Sequence, residues 1–144
     1  MPTFAPYFRW FLFVLLGVCG TMTGSAQPER LLYFPDTGRL YSQLEPGDEL
    51  LQRNLLLSNQ SQYNVSFDLS FDQEVWNGFS TAPRYTSLYN MKNQAKCYIR
   101  IRTRQRNGAV ATVLYELIRG NCYSVYWNKE LARWDVVENA CRKY

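Results

Sequence analysis

Gln62-Tyr63-Asn64-Val65-Ser66-Phe67-Asp68-Leu69-Ser70-Phe71-Asp72 is the stretch that decides the fold class. Tyr63, Val65, Phe67, Leu69 and Phe71 alternate with Asn64, Ser66, Asp68, Ser70 and Asp72, the period of two that gives a strand one buried and one wet face. A helix would scatter the same apolar residues around its axis. Upstream, Leu50 to Ser58 is apolar and lies between the turn-forming groups Pro46-Gly47-Asp48 and Asn59-Gln60-Ser61. It reads as the hairpin partner of the alternating strand, with a short helix as the alternative that its leucines allow.

Downstream, Lys96 to Arg104, Ala109 to Ile118, Asn121 to Trp127 and Arg133 to Glu138 read as a four-stranded meander. Asn107-Gly108 marks the first reversal, because both residues tolerate the positive φ of a type I′ turn, and Arg119-Gly120-Asn121 marks the second. Ala109 to Ile118 is apolar on both faces apart from Thr112 and Glu116, which predicts a place in the middle of a sheet. Weaker strands are expected near Leu31 to Phe34, Arg39 to Leu44 and Thr86 to Tyr89, and Trp76-Asn77-Gly78-Phe79 reads as a turn. About eight short strands with regular turn signals predict an all-β antiparallel β-sandwich, with a small β-barrel as the alternative. The likeness between Leu40-Tyr41 with Gly47 and Leu114-Tyr115 with Gly120 is shared hairpin grammar rather than a duplication.

At the N-terminus, Arg9, the apolar run Trp10 to Val18 and the small residues Gly24-Ser25-Ala26 predict a signal peptide over residues 1–26. The run is shorter than the roughly 20 residues a membrane-spanning helix needs, so no stable span is expected after cleavage. Residues 27–144 are then one domain, secreted or periplasmic. Arg9 is the only charge lost, so a formal charge of +4 falls to +3, with no block of like charge and no specific nucleic-acid signature. Of 23 aromatic residues, 17 remain, a richness that suits pleated strands and half-wet contact surfaces.

Cys97, Cys122 and Cys141 remain in a compartment that permits disulfides, and the odd count leaves one unpaired. If Trp127 faces Trp134, the antiparallel register sets Cys122 opposite Asn139 and diagonal to Cys141, within bridging reach. The meander would hold Cys97 about 10 Å from Cys122, beyond reach. Cys122 to Cys141 is the predicted bridge, and Cys97 is expected as a buried thiol, or as an intermolecular link if exposed. The chain has no histidine, and its cysteine spacings match no compact zinc pattern, so neither a metal nor a cofactor is expected.

Lack of histidine also removes the commonest general base and the Ser-His and Cys-His pairs, which favours a non-enzymatic domain. A row of cations is the sharpest candidate site: Lys96, Arg100, Arg102, Arg104 and Arg106 share one parity with Tyr98 and project from one face of a strand and its turn. Arginine offers two donors at once to sulfate, phosphate or carboxylate, and Tyr98 and a cross-strand Tyr115 would add stacking surface if they share that face. Replacing Arg100, Arg102 and Arg104 by Gln should then weaken polyanion binding and leave the fold nearly intact. The plainer alternative is a solvated outer face of a hairpin.

Trp76 and Trp127 are the aromatic candidates for a sugar or protein contact, although Trp127 against Trp134 also reads as a structural cross-strand pair. Asn59 and Asn64 each open a glycosylation triplet. The expected function is a secreted binding domain for a protein, a surface glycan or a polyanion, inhibitor-like proteins included, which predicts an exposed aromatic or basic patch. A hydrolase working through Asp68, Asp72 and Glu74 is the first alternative and predicts convergent carboxyls, one held protonated. A structural component of a cell-envelope assembly is the second and predicts a long exposed strand edge or a self-complementary patch.

Overall fold

A computed structural model of the chain describes residues 26–35 and 49–141. The expected signal peptide and the expected strand Arg39 to Leu44 lie outside the described residues, apart from Ala26. Nine strands and one short helix follow in order: β1 (Glu29–Pro35), α1 (Glu49–Arg53), β2 (Asn54–Asn59), β3 (Val65–Ser70), β4 (Asn77–Thr81), β5 (Tyr85–Asn90), β6 (Lys96–Arg104), β7 (Val110–Ile118), β8 (Cys122–Asn128) and β9 (Arg133–Asn139). They form a five-stranded sheet, β1-β5-β2-β8-β9, and a four-stranded sheet, β4-β3-β6-β7. The protein is all-β with two separate sheets, so the barrel alternative does not hold.

The two sheets share one core. Leu55 and Leu57 of β2, Tyr89 of β5, and Tyr123 and Val125 of β8 meet Val65, Phe67 and Leu69 of β3, Cys97, Ile99 and Ile101 of β6 and Leu117 of β7. Each such apolar side chain taken fully out of water stabilises the fold by about 1.5–3 kcal/mol. Arg30 of β1 fastens one flank across the sheets: its guanidinium donates to Ser80 O at 2.6 Å and to the Tyr89 hydroxyl at 3.1 Å, and packs over the rings of Phe79 and Tyr89.

The alternating stretch forms β3 as its parity dictates, with Val65, Phe67 and Leu69 buried. The strand is shorter than predicted, and Tyr63 is 67% exposed instead of buried. It precedes the strand in a loop governed by Asn59, whose buried side chain donates to the carbonyls of Tyr63, Thr81 and Ala82 and accepts from the Ser61 N–H and hydroxyl. Asn59 therefore fastens the crossing between sheets, whereas Asn64 is exposed.

That crossing corrects the predicted hairpin. β2 pairs with β5 and β8 in one sheet, while β3 pairs with β4 and β6 in the other. The first half of Leu50 to Ser58 is helical, and the Asn54 side chain closes α1 by donating to Leu50 O at 2.6 Å. β2 is buried along its whole length, as a central strand apolar on both faces should be. Its pairing with β8 is parallel, so the sheets are not wholly antiparallel.

The predicted meander is likewise divided. β6 and β7 form the hairpin expected at Asn107-Gly108, and β8 and β9 pair with Cys122 opposite Asn139 and Trp127 opposite Trp134. Between them the chain changes sheets at Gly120, whose φ of +87° suits glycine and whose N–H donates to Asn54 O at 2.9 Å. β7 is thus an edge strand and not a central one, since among the described residues it pairs with β6 alone, and its outward residues Val110, Leu114 and Ile118 are exposed. Asn77–Thr81, predicted as a turn, is strand β4.

Cys122 and Cys141 are bridged, with their Cα atoms 5.3 Å apart, and Cys97 is a buried thiol. The predicted reason for excluding Cys97 is replaced: β6 and β8 belong to different sheets. Burial pushes the Cys97 thiol up to about 12.

Candidate functional site

The outer face of the four-stranded sheet collects most of the candidate residues. Strand parity sends Cys97, Ile99, Ile101 and Thr103 into the core and leaves Lys96, Tyr98, Arg100, Arg102 and Arg104 on the other side. β3 and β6 pair with Asp68 opposite Arg100. Arg100 Nε and Nη2 both lie 3.0 Å from Asp68 Oδ2, and Arg102 Nη2 reaches the same oxygen at 2.8 Å.

Trp76 joins this group through the loop between β3 and β4. The Ser70 hydroxyl accepts from the Gln73 N–H at 2.9 Å, and the Asp72 carboxylate accepts from the Glu74 and Val75 N–H groups at 2.9 and 3.0 Å. The Val75 and Glu74 N–H groups, with the Ser70 hydroxyl, hold the Asp72 carboxyl down at about 2. Gln73 takes a φ of 65° in this loop, and its carbonyl accepts from Trp76 Nε1 at 2.9 Å. So placed, the Trp76 ring lies 4.1 Å from the Arg100 guanidinium carbon, a cation–π contact that adds to the ion pair in aiming Arg100.

Gly78 sits opposite Asp68, and the missing side chain leaves the ion-paired cluster open. The result is a shallow depression of about 310 Å³ lined by Ser66, Asp68, Gly78, Ser80, Arg100 and Arg102. It offers two hydroxyls, one carboxylate and two guanidinium groups beside an indole. Arg102 is largely exposed and keeps donors beyond its bond to Asp68. Arg104 and Arg106 continue the cations toward the β6–β7 turn and are both exposed.

At the other end of the stripe, Lys96 binds Glu116 at 2.7 Å, which raises the Lys96 pKa and lowers that of Glu116. Tyr98 lies between these groups, with Lys96 Nζ 5.5 Å from its ring. The five cations are therefore unequal: Lys96, Arg100 and Arg102 face carboxylates, and positive charge is concentrated toward the turn.

Two candidates do not join this face. Trp127 lies in the other sheet and meets Trp134 edge to face at 5.4 Å, in the predicted structural pair. Tyr115 has the inward parity, opposite Ile99, so it adds no stacking surface beside Tyr98. Its hydroxyl donates to the Asp135 carboxylate on β9, and this bond, followed by burial, pushes Tyr115 up to about 12. Burial pushes Asp135 upward, but hydrogen bonds from Tyr115, Asn128 and the Val136 N–H outweigh it and hold the carboxyl below 3.8.

The three carboxylates weighed for catalysis are differently occupied. Asp68 is the counter-ion of two arginines, Asp72 caps a loop, and Glu74 is exposed in that loop. Among the described residues, no group of three or more His, Cys, Asp or Glu side chains is placed to hold a metal ion. Ser66, Ser80 and Gly78 were not legible as site residues, and Asp68 was weighed only as a catalytic carboxylate, because their place beside Arg100 depends on a pairing between strands about thirty residues apart. Compared with known proteins, the chain matches no family model, no curated protein and no solved structure.

Proposed function

We propose that the chain is an exported β-sandwich binding domain, carrying residues 1–26 as a signal peptide, that holds an acidic extracellular polysaccharide on the outer face of its four-stranded sheet. The observation that carries this reading is the Trp76–Arg100–Asp68–Arg102 cluster, open beside Gly78 and continued by Arg104 and Arg106. Asp68 and Trp76 hold Arg100 in place, so Arg102, Arg104 and Arg106 are the groups that meet sulfate or carboxylate. Arg102, itself bonded to Asp68, loses less freedom on binding than a free guanidinium would, and an indole beside hydroxyls suits a sugar ring. The Cys122–Cys141 bridge supports an oxidising, extracytoplasmic location.

Retention on heparin and on a neutral polysaccharide across a salt gradient tests the reading. Arg100 is left intact, because removing it with Arg102 would strip both partners from a half-buried Asp68. Arg102→Gln, Arg104→Gln and Arg106→Gln together should abolish heparin retention, and each should lower the salt slope by about one. Retention unchanged by the triple replacement rejects this face as the site. Retention on the neutral polymer alone rejects the acidic ligand.

A further inference from the structure

We infer that β7 is a homodimerisation edge, along which two copies of this chain join their four-stranded sheets about a two-fold axis at Leu114. Among the described residues four strands end the two sheets, and three carry features that discourage pairing. β1 has a register shift between Arg30 and Leu32 and ends in Pro35, β4 has only five residues and contains Gly78, and β9 carries Arg133, Asp135 and Glu138. β7 has nine residues in unbroken register with β6, no proline and no basic residue. Its single charge, Glu116, is already paired with Lys96.

The hydrogen-bonding direction of β7 follows from its hairpin. Gln105 N–H donates to Ala109 O and Arg119 N–H donates to Ala95 O, so the odd-numbered residues of β7 point their backbone groups at β6. The even-numbered residues point theirs away. Ile118 confirms the alternation, since its N–H is taken by the Tyr123 hydroxyl from outside the hairpin, at 2.9 Å. Val110, Thr112, Leu114 and Glu116 thus present N–H and C=O groups along an open edge.

The same residues carry the outward side chains, with Val110 58%, Leu114 50% and Ile118 41% exposed. An antiparallel pairing centred on Leu114 sets Leu114 against the partner's Leu114 and Thr112 against the partner's Glu116 through backbone and side chain, and Val110 against the partner's Ile118 through side chains alone, because the Ile118 N–H and C=O are held by the Tyr123 hydroxyl and the Asn121 N–H. Apolar meets apolar at both ends and at the centre, and a hydroxyl meets a carboxylate between them. Only a two-fold placement centred at Leu114 gives every outward residue of this strand such a partner. The contact uses the same surface on both copies, so it closes as a dimer and does not propagate.

Dimerisation does not depend on the proposed ligand, and it would bring two β6 stripes onto one continuous face, about 14 Å apart at three strand spacings. Sedimentation velocity on the chain as purified tests it. The expected result is a dimer that dissociates on dilution. Leu114→Lys, which sets two ammonium groups against each other at the axis, should weaken association by at least about tenfold. Val137→Lys on the β9 edge should leave association unchanged.

Cross-linking fixes the register. Paired Cα atoms in such a ladder lie about 5.5 Å apart, within disulfide reach. Leu114→Cys chains should therefore form a disulfide-linked dimer under mild oxidation, and Thr112→Cys chains should not. A monomer at all concentrations up to about 100 μM overturns the inference. So does a dimer that survives Leu114→Lys, or one whose Leu114→Cys chains do not cross-link.

Discussion

Tyr115 and Asp135 face each other across the two sheets, and their hydrogen bond ties the edge strand β7 to the edge strand β9. The pair predicts a stability limit at each end of the pH scale. Asp135 titrates below its ordinary 3.8 in the fold, so its contribution is present above that value and is lost as pH falls through the lower folded value. Tyr115 titrates at about 12 instead of 10, so its contribution is complete below pH 10 and is lost as pH rises toward 12. Tyr115→Phe should remove the Tyr115 share of the alkaline loss and leave the share of Cys97, Tyr89 and Tyr123, which burial also raises; it should shrink the acid loss and cost about 1–3 kcal/mol at neutral pH, because Asp135 keeps its burial but loses a donor. Urea titrations from pH 3 to 11 read all three. An alkaline limb unchanged in Tyr115→Phe would assign that loss to another group. Neither residue's role could be read from the chain, because parity places Tyr115 inward but does not reveal what faces it there.

Among the described residues the chain crosses between sheets four times, and the crossings from β2 to β3 and from β7 to β8 replace the expected hairpin turns. At the crossing from β7 to β8, Gly120 holds φ at +87°, and an added Cβ would stand 3.7 Å from Leu51 O and 3.9 Å from the Gln52 Cα, in ordinary contact. Backbone strain is then the main cost, and Gly120→Ala should destabilise the chain by about 1–2 kcal/mol, read as a shift in the urea midpoint. No shift would mean that the crossing relaxes without glycine. The same crossings explain which elements were legible. β3, the β6–β7 hairpin and the β8–β9 pair follow from alternation and turn chemistry, which act over a few residues. The breaks from β2 to β3 and from β7 to β8 carry turn residues that look like hairpin turns, and only the packing of Asn59 and Gly120 against distant backbone sends the chain to the other sheet. β7 was misplaced for a related reason: apolar residues on both faces suit a central strand, but they suit an edge awaiting a partner equally well. β4 was missed because Asn77-Gly78 looks like a turn and Phe79 alone gives no alternation.

For the whole molecule, the candidate face was legible to the extent that one strand carried it. The parity of β6 set the arginines and Tyr98 on one side, while Asp68 and the approach of Trp76 required the arrangement of the entire sheet. The cysteines offer a comparable case with a sharper test. Cys122 begins β8, Cys141 follows β9, and their bridge packs with Leu51, Leu56 and Leu88 on the side of the five-stranded sheet away from the shared core. It closes a loop of 19 residues, so reducing it should lower stability by about 3 kcal/mol, chiefly by freeing the unfolded chain. Cys97 lies on the opposite side of that sheet, within the shared core, and its burial and raised pKa leave almost no thiolate at neutral pH. Maleimide labelling of the folded, unreduced chain at pH 7 should therefore find no reactive thiol. In denaturant without reductant, the exported chain should show one, from Cys97. Two thiols would mean that Cys19 is still attached, and that residues 1–26 stay on the protein as an anchor instead of leaving as a signal peptide. A thiol that labels rapidly in the folded chain, where denaturant reveals only one, would take Cys97 out of the core and undo the packing between the sheets.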